Sequence, residues 1–185
     1  MKIVAGKNRG NKLKSLKGLS IRPTSQKVRE ALFDILGISI EGTYFLDLFA
    51  GTGAIGIEAL SRGAQKVIFI EKEIKCIKII KENLKKTKNN QNSLVFKIDF
   101  LSGIKLLAKK NYLLDCIFLD PPYNMGLVNI SLLEISKLPI LKKNSVVIVQ
   151  HYKKEKVEEN INNLKLFDQR KYGESYLSFF SNTNT

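Results

Sequence analysis

A chain of 185 residues is long enough for one domain with a sizeable core and too short for two large ones. Its hydrophobic fraction of 44% and its regular apolar spacing are typical of a globular protein. No apolar run approaches the ~18 residues of a membrane-spanning helix, and the N-terminus is basic but polar. We therefore expect neither a membrane span nor a secretory signal in this sequence.

The formal charge of +14 is concentrated at one end of the chain. Residues 1–29 contain nine Lys or Arg and no acid, so they carry most of the excess. An acid-free basic segment favours a polyanionic partner, and such binding falls steeply with salt. A solvated face is a weaker alternative, because it is typical of scattered lysines and not of an acid-free basic segment. An anionic membrane surface is also weaker, because the charges do not lie on a helix with a large apolar face. The charge distribution therefore predicts nucleic acid as the partner.

Cysteine and histidine are scarce and isolated. Cys76 and Cys116 each stand alone in an apolar pattern, and His151 has no neighbour at a metal-ligand spacing. We expect no disulfide and no metal site, and we interpret His151 as a packing residue at a strand end. Unpaired cysteines indicate a reducing compartment, which predicts a cytoplasmic protein.

The first part of the chain predicts an arm followed by a helix. Residues 1–21 carry short apolar pieces broken by glycines, a pattern typical of a β-hairpin or extended arm that lies over the main body. Apolar residues then recur at helical spacing over residues 28–36. Thr24 or Ser25 is the expected N-cap of this helix, and Gly37 is its expected end.

Strand-like and helical segments alternate through the middle of the chain, which predicts a mostly parallel sheet covered on both faces. The predicted strands are 44–49, 66–70, 95–98 and 115–119, and the helices that follow them are 54–61, 73–86, 104–109 and 129–137. The last third predicts a strand at 146–150, a charged helix over 153–163 and an antiparallel pair at 165–172 and 175–180. Ligands of parallel sheets bind beyond the carboxyl ends of the strands. We therefore expect one rim to carry Asp47, Gly51, Glu71, Asp99 and Asp120.

The turn Asp120-Pro121-Pro122-Tyr123 ends an apolar strand with a carboxylate, two prolines and an aromatic ring. Proline has no backbone N–H and pushes the residue before it towards extended geometry, so the carboxylate and carbonyls are left to accept hydrogen bonds. Acceptors beside a stacking surface suit a planar group that carries an NH2, such as a nucleobase. The turn is our candidate catalytic site.

The segment from Gly51 to Gly56 satisfies G-x-G-x-x-G after a strand, and the acid Glu71 follows twenty residues after Gly51. This is the dinucleotide fingerprint, so NAD is one alternative. Asp47 lies just before the loop, where a carboxylate would repel a pyrophosphate but attract an ammonium and a sulfonium. S-adenosylmethionine carries both of these groups, and Glu71 could accept from its ribose hydroxyls. Asp99 is then placed for the adenine amino group, with Phe100 or Ile98 beside the ring.

Several motifs together resemble the RsmD-type family of bacterial 16S rRNA guanine-N2 methyltransferases. The residues that carry the resemblance are Asp47-Leu-Phe-Ala-Gly51-Thr-Gly53, Asp120-Pro-Pro-Tyr123, Ile3-Val-Ala-Gly6, Arg22-Pro-Thr-Ser25, Val28-Arg-Glu-Ala-Leu32, Glu58-Ala-Leu-Ser-Arg-Gly63 and Lys171-Tyr-Gly173. The resemblance implies a class I methyltransferase fold, which is α/β with a Rossmann-like seven-stranded sheet, mostly parallel with an antiparallel terminal strand, and an N-terminal hairpin that grips rRNA. It divides the chain into an arm at 1–22 and a methyltransferase domain at 23–185, acting as a monomer on the small ribosomal subunit.

The candidate residues fall into three groups under this interpretation. Catalysis is expected from Asp120, Pro121, Pro122 and Tyr123. The methyl donor is expected to contact Asp47, Phe49, Ala50, Gly51, Gly53, Glu71, Lys72, Asp99, Phe100 and Asp120. RNA is expected to contact Lys7, Arg9, Lys12, Lys14, Arg22 and Thr24.

Three rival functions stay open. The turn recognises an NH2 rather than a particular base, so a DNA methyltransferase acting on adenine N6 or cytosine N4 is the nearest rival, although no target-recognition domain is evident. A nucleotide- or RNA-binding module without catalysis is the second rival. An NAD dehydrogenase is the third, and it lacks an evident partner for hydride transfer.

Overall fold

The computed structural model describes residues 1–15 and 26–184, and within them it contains one sheet of eight strands in the order β3-β2-β1-β4-β5-β8-β7-β6. The strands are β1 Tyr44–Asp47, β2 Lys66–Glu71, β3 Ser93–Lys97, β4 Leu114–Leu119, β5 Leu141–Tyr152, β6 Asn160–Ile161, β7 Leu164–Tyr172 and β8 Ser175–Asn182. The helices are α1 Gln26–Leu36, α2 Ala54–Ser61, α3 Ile74–Lys86, α4 Phe100–Lys109 and α5 Leu127–Ser136.

The pairing confirms the predicted class I architecture. Strands β1 to β5 pair in parallel, β8 is antiparallel to β5, and β7 is antiparallel to β8. The two-residue strand β6 adds an eighth member at the edge, where it pairs only with β7 among the described residues. The seven expected strands are therefore present, and β6 is a short extension of them.

Alternating side chains of the central strands supply two cores, one on each face of the sheet. In β1, Phe45 packs on the face covered by α1, α2 and α3, whereas Leu46 packs on the face covered by α4 and α5. Phe118 and Leu119 of β4 divide between the faces in the same way. This period of two is that of a strand buried on both sides, and it produces a three-layer structure.

The arm packs on the α2 and α3 side of the sheet. Residues 1–13 form a hairpin in which the backbone N–H of Ile3 donates to Asn11 and that of Leu13 donates to Met1. Ile3 and Leu13 are buried in the same core as Phe33 of α1. The predicted hairpin is thus present over the described part of the arm. The boundary at 22/23 and the N-cap at Thr24 or Ser25 lie outside the described residues and stay predictions, and α1 ends at Leu36 as expected.

The predicted helix over 153–163 is wrong. The chain makes turns there and then enters β6, because its polar groups bind other parts of the fold. The Asn129 side chain donates to the Lys156 carbonyl (3.1 Å) and accepts from the Glu158 N–H (3.2 Å), and Lys153 pairs with Glu174. Hydrogen bonds to other elements compete with helix formation in this segment. The charged pattern alone does not show these partners, so it wrongly indicated a solvated helix.

Helix α4 begins at Phe100 rather than at the predicted residue 104. Asp99 is its N-cap, and one carboxylate oxygen accepts from the Ser102 N–H at 3.0 Å. This capping bond holds the pKa of Asp99 below its usual value.

In the part of the chain that the structure describes, none of the helices has the length and apolar composition that a membrane span requires.

Candidate active site

The rim of the sheet brings together the acids that end the central strands. Asp47 lies opposite Phe69 of β2 and Phe118 of β4 in the strand register. Glu71 and Asp120 each follow these positions by two residues, so the three carboxylates lie at the same edge. The three carboxylates are close enough to interact, because the negative charges of Asp120 and Glu71 both raise the pKa of Asp47.

Asp47 is the buried member of this group, only 2% exposed. One of its carboxylate oxygens accepts from the Gly56 N–H at 3.0 Å, which ties the end of β1 to the first turn of α2. Burial, aided by Asp120 and Glu71, raises the pKa of Asp47 to about 7 although the bond from Gly56 lowers it. The hydrogen bond to Gly56 places Asp47 beneath the glycine loop. With a pKa of about 7, its carboxyl group changes from neutral to negatively charged near neutral pH.

The glycine loop has two residues that need the left-handed region. Gly51 has φ of 52° and Gly53, at the start of α2, has φ of 75°. A Cβ on Gly51 would meet no atom within 4 Å, so this side of the loop leaves room for a ligand to approach the backbone. Gly56 serves packing instead, because a Cβ there would lie 2.3 Å from the Phe69 ring.

Glu71 holds the loop against the end of β2. One carboxylate oxygen accepts from the Gly51 N–H (2.8 Å), and the other accepts from the N–H groups of Lys72 (2.8 Å) and Glu73 (2.9 Å). A carboxylate offers about four lone-pair sites, so Glu71 keeps some capacity for ribose hydroxyls. The Lys72 side chain is exposed.

An apolar wall lies beside these acids. The rings of Phe49, which follows β1, and Phe100, which begins α4, have centroids 5.1 Å apart and are tilted by 35°. Ile98 packs against the same core. Ala50 is bound through its N–H to the Ile70 carbonyl (3.1 Å). The wall, the acids and the open side of Gly51 can hold a cationic ligand with a planar ring.

The Asp120 turn lies next to this space. Pro121 is buried, Asp120 and Tyr123 are half-buried, and Pro122 is exposed. The Tyr123 hydroxyl is bonded to the Ser175 hydroxyl (3.0 Å) and accepts from the Gln150 amide (3.2 Å). Its ring is stacked on Tyr152 with centroids 6.0 Å apart. The turn thus presents acceptors beside an aromatic ring that is held at both its hydroxyl and its face.

The arm residues predicted to contact RNA are exposed where the structure describes them. Lys7, Arg9, Lys12 and Lys14 all have exposed side chains. Arg22 and Thr24 lie outside the described residues, so their predicted role stays a prediction. Arg29, counted in the basic segment, is fully buried against Glu58 and cannot contact RNA.

The chain matches known proteins along nearly its whole length. A family model described as "Conserved hypothetical protein 95" matches residues 1–181. The chain belongs to this family. Its members include proteins named for the RsmD type, so the predicted RsmD-type family is confirmed.

The relatives of this RsmD-type chain carry methyltransferase names. Ribosomal RNA small subunit methyltransferase D of Buchnera aphidicola (from Acyrthosiphon pisum) is 38% identical over 157 residues, which cover 84% of this chain and 80% of the relative. The putative rRNA methyltransferase YlbH of Bacillus subtilis is 34% identical over 173 residues, 94% of each protein. The solved structure of the putative methyltransferase yhhF of Escherichia coli superposes with a TM-score of 0.87 at 29% identity, covering 98% of this chain and 97% of that one. The RsmD-type chain is therefore a methyltransferase by family and fold.

The sequence did not indicate several residues that shape the RsmD-type site. Gln150, Tyr152 and Ser175 surround Tyr123. Their only signal in the sequence is a polar or aromatic residue near the end of an apolar strand, in β5, or at the start of one, in β8. His151 is buried, as expected of a packing residue: its Nδ1 donates to the Tyr152 carbonyl and its Nε2 is bonded to the Ser178 hydroxyl. Burial lowers the pKa of His151.

In the described part of the chain, no group of three His, Cys, Asp or Glu side chains could hold a metal ion.

The raised pKa of Asp47 predicts a pH-dependent stability. Between about pH 4 and about pH 7 the folded chain keeps a proton on Asp47 that the unfolded chain releases. This group therefore makes the folded state less stable as pH rises through that interval. Asp47→Asn keeps an oxygen for the Gly56 N–H and cannot ionise, so we expect its stability relative to wild type to improve from pH 5 to pH 8. Urea unfolding at both pH values measures this, and an equal difference at the two would contradict it.

Proposed function

We propose that the chain transfers a methyl group from S-adenosylmethionine to the exocyclic N2 amine of a guanosine in 16S rRNA of the small ribosomal subunit, in the cytoplasm. One observation carries the proposal: the Asp120-Pro-Pro-Tyr123 turn lies at the same rim as Asp47 and Glu71, so acceptors for an amine adjoin acids for a cation. The names of its relatives support rRNA as the substrate class.

The donor half of the site fits the rim. The Asp47 carboxylate suits the positive charges of the donor, and Glu71 has lone pairs left for its ribose hydroxyls. The open side of Gly51 suits close backbone approach, and the Phe49–Phe100 wall suits adenine. When bound, S-adenosylmethionine supplies an electrophilic methyl group on a sulfonium. Asp99 caps α4 through one oxygen, so its use as an adenine acceptor depends on its remaining lone pairs.

The acceptor half addresses the weak nucleophilicity of guanine N2, whose lone pair is delocalised into the ring. Hydrogen bonds from the NH2 group to the Asp120 carboxylate and the Pro121 carbonyl would localise that lone pair and orient it. Alignment of two reactants can supply roughly 7–11 kcal/mol, and strong basicity is unnecessary because the amine becomes acidic after methylation.

Tyr123 would form the stacking surface for a base turned out of its helix. Base–aromatic stacking is worth about 1–3 kcal/mol, which partly offsets the few kcal/mol lost on unstacking. Gln150, Ser175 and Tyr152 hold the ring before the base arrives, so little of this energy is spent on ordering Tyr123 itself.

Conversion of the donor tests the proposal against a non-catalytic binding module. Incubation with S-adenosylmethionine and small ribosomal subunits should produce S-adenosylhomocysteine, which can be measured by mass spectrometry. Calorimetric titration should show donor binding in the same preparation. Donor binding without any turnover on rRNA or DNA would favour the binding module, and turnover on DNA alone would favour the DNA rival.

The arm gives a second prediction, which concerns salt. Charge reversal at Lys7, Arg9 and Lys12 should weaken RNA binding and flatten its dependence on salt, because each phosphate contact contributes a slope of about 0.7–0.9 to log K against log[salt]. Filter binding at several salt concentrations measures both effects.

A matched control uses three exposed lysines, Lys105 and Lys109 of α4 and Lys110 just after it; this helix covers the opposite face of the sheet. Reversing these three changes the net charge equally but should leave the salt slope near that of wild type. Equal slopes for wild type and the arm variant would contradict the role of the arm as the RNA grip.

A further inference from the structure

Asn83 links the basic arm to the glycine loop. It lies on the buried face of α3 with 0% exposure, among apolar neighbours such as Ile80 and Leu84. A buried amide is costly unless its polar atoms find partners. The partners of Asn83 are backbone groups of two distant segments, so its side chain joins the arm directly to the glycine loop.

The arm receives two of these hydrogen bonds. The Lys14 N–H donates to Asn83 Oδ1 at 2.8 Å, and Asn83 Nδ2 donates to the Lys14 carbonyl at 3.1 Å. Both backbone groups of one arm residue are therefore bound by one side chain, as a neighbouring strand would bind them. This fixes the backbone of the arm at the residue that precedes its last described position.

The glycine loop receives the third hydrogen bond. Asn83 Nδ2 also donates to the Thr52 carbonyl at 3.2 Å. The loop is also held at Gly51, whose N–H donates to the Glu71 carboxylate at 2.8 Å. The orientation of the loop peptides thus depends on Glu71 at the rim and on Asn83 at the arm.

We propose that Asn83 is a positioning residue that couples the arm to the glycine loop, so that methyl donor and RNA raise each other's affinity. The inference depends on the proposed function, which places the donor at the loop and RNA on the arm. Order imposed on the loop by the donor is transmitted to Lys14 through one rigid amide. Such coupling is reciprocal, so RNA on the arm must favour the donor by the same factor.

The chain offers a matched control for Asn83. Asn8 fastens the same arm to the region after α3, where its amide donates to the Thr87 carbonyl (3.1 Å) and its oxygen accepts from Asn89 (3.0 Å). No hydrogen bond of Asn8 in the described structure reaches the glycine loop. Asn8→Ala therefore loosens the arm without breaking the connection from Lys14 to Thr52.

The test measures the dissociation constant of S-adenosylhomocysteine with and without saturating 16S rRNA, and that of the rRNA with and without S-adenosylhomocysteine. In wild type each ligand should tighten the other by at least about fivefold, the lower end of usual couplings. Asn83→Ala should bring this ratio close to one. Asn8→Ala should weaken rRNA binding but keep the wild-type ratio.

Asn83→Asp serves where the alanine variant does not fold. It keeps the side-chain size and the acceptor for the Lys14 N–H, but it loses the donor to the Lys14 and Thr52 carbonyls. Circular dichroism and thermal melting establish folding. A wild-type ratio of one, or a wild-type ratio retained in both Asn83 variants, would overturn the inference while leaving the proposed function intact. Failure of wild type to bind either ligand alone would overturn both.

Discussion

Replacing Asp120 by alanine is expected to abolish methyl transfer while the affinity for the donor stays within a few fold of wild type. The carboxylate is the charged acceptor in the turn, and its bond to the NH2 group is needed to localise and orient the lone pair. Removal of one such electrostatic group costs at least about 10²–10³-fold in kcat. Steady-state kinetics and calorimetric titration of the donor measure the two effects separately.

Asp120→Asn is the matched control for this prediction. It keeps the size of the side chain and one acceptor oxygen, so it should retain more activity than the alanine variant. An equal loss of donor affinity and of transfer in Asp120→Ala would assign Asp120 to donor binding rather than to the acceptor half of the site.

Replacing Glu58 by alanine is expected to cost about 3–5 kcal/mol of the free energy of unfolding, the usual penalty for leaving a buried charge without its partner. Glu58 and Arg29 are both fully buried, with Arg29 Nε 3.6 Å from Glu58 Oε2. The Glu58 carboxylate also accepts from the N–H groups of Val4 (2.9 Å) and Ala5 (3.0 Å) and from Arg62 Nε (3.1 Å). Loss of the Glu58 carboxylate should therefore leave the buried charge of Arg29 without its partner and also remove the hydrogen bonds that hold the arm. Urea unfolding measures the change.

A surface ion pair provides the comparison. Glu134 of α5 and Lys137, just after this helix, are 2.7 Å apart, and Glu134→Ala should cost far less than Glu58→Ala because water screens an exposed ion pair. A loss in Glu58→Ala as small as that of the surface variant would mean that Glu58 does not organise the arm and α1.

The rim could be predicted from the sequence because each of its parts is local. Asp47, Glu71 and Asp120 end or follow apolar strands, and the carboxyl ends of parallel strands meet at one edge of the sheet. The Asp120 turn is defined by its own prolines. The alternation of strands and helices predicts the mostly parallel sheet, the family resemblance implies the class I fold, and the pairing confirms both.

The residues that fasten the arm could not be predicted because their partners are distant in sequence. Glu58 binds backbone groups 54 and 53 residues away, and Asn83 binds Lys14 at a separation of 69 residues. Arg29 adds to the positive charge of residues 1–29 although it is buried, because sequence alone does not distinguish an exposed cation from a buried one. The error over 153–163 has the same cause, since the Asn129 side chain that holds this loop lies on another element.

Methylation of small ribosomal subunits, naked 16S rRNA and DNA side by side with radiolabelled S-adenosylmethionine tests the central proposal most directly. Nucleoside analysis of each product identifies the labelled base, and Asp120→Ala provides the background. We predict label in N2-methylguanosine from rRNA, none in DNA and none with Asp120→Ala. Label in N6-methyladenine or N4-methylcytosine of DNA, or the absence of label from rRNA in both forms, would contradict the account.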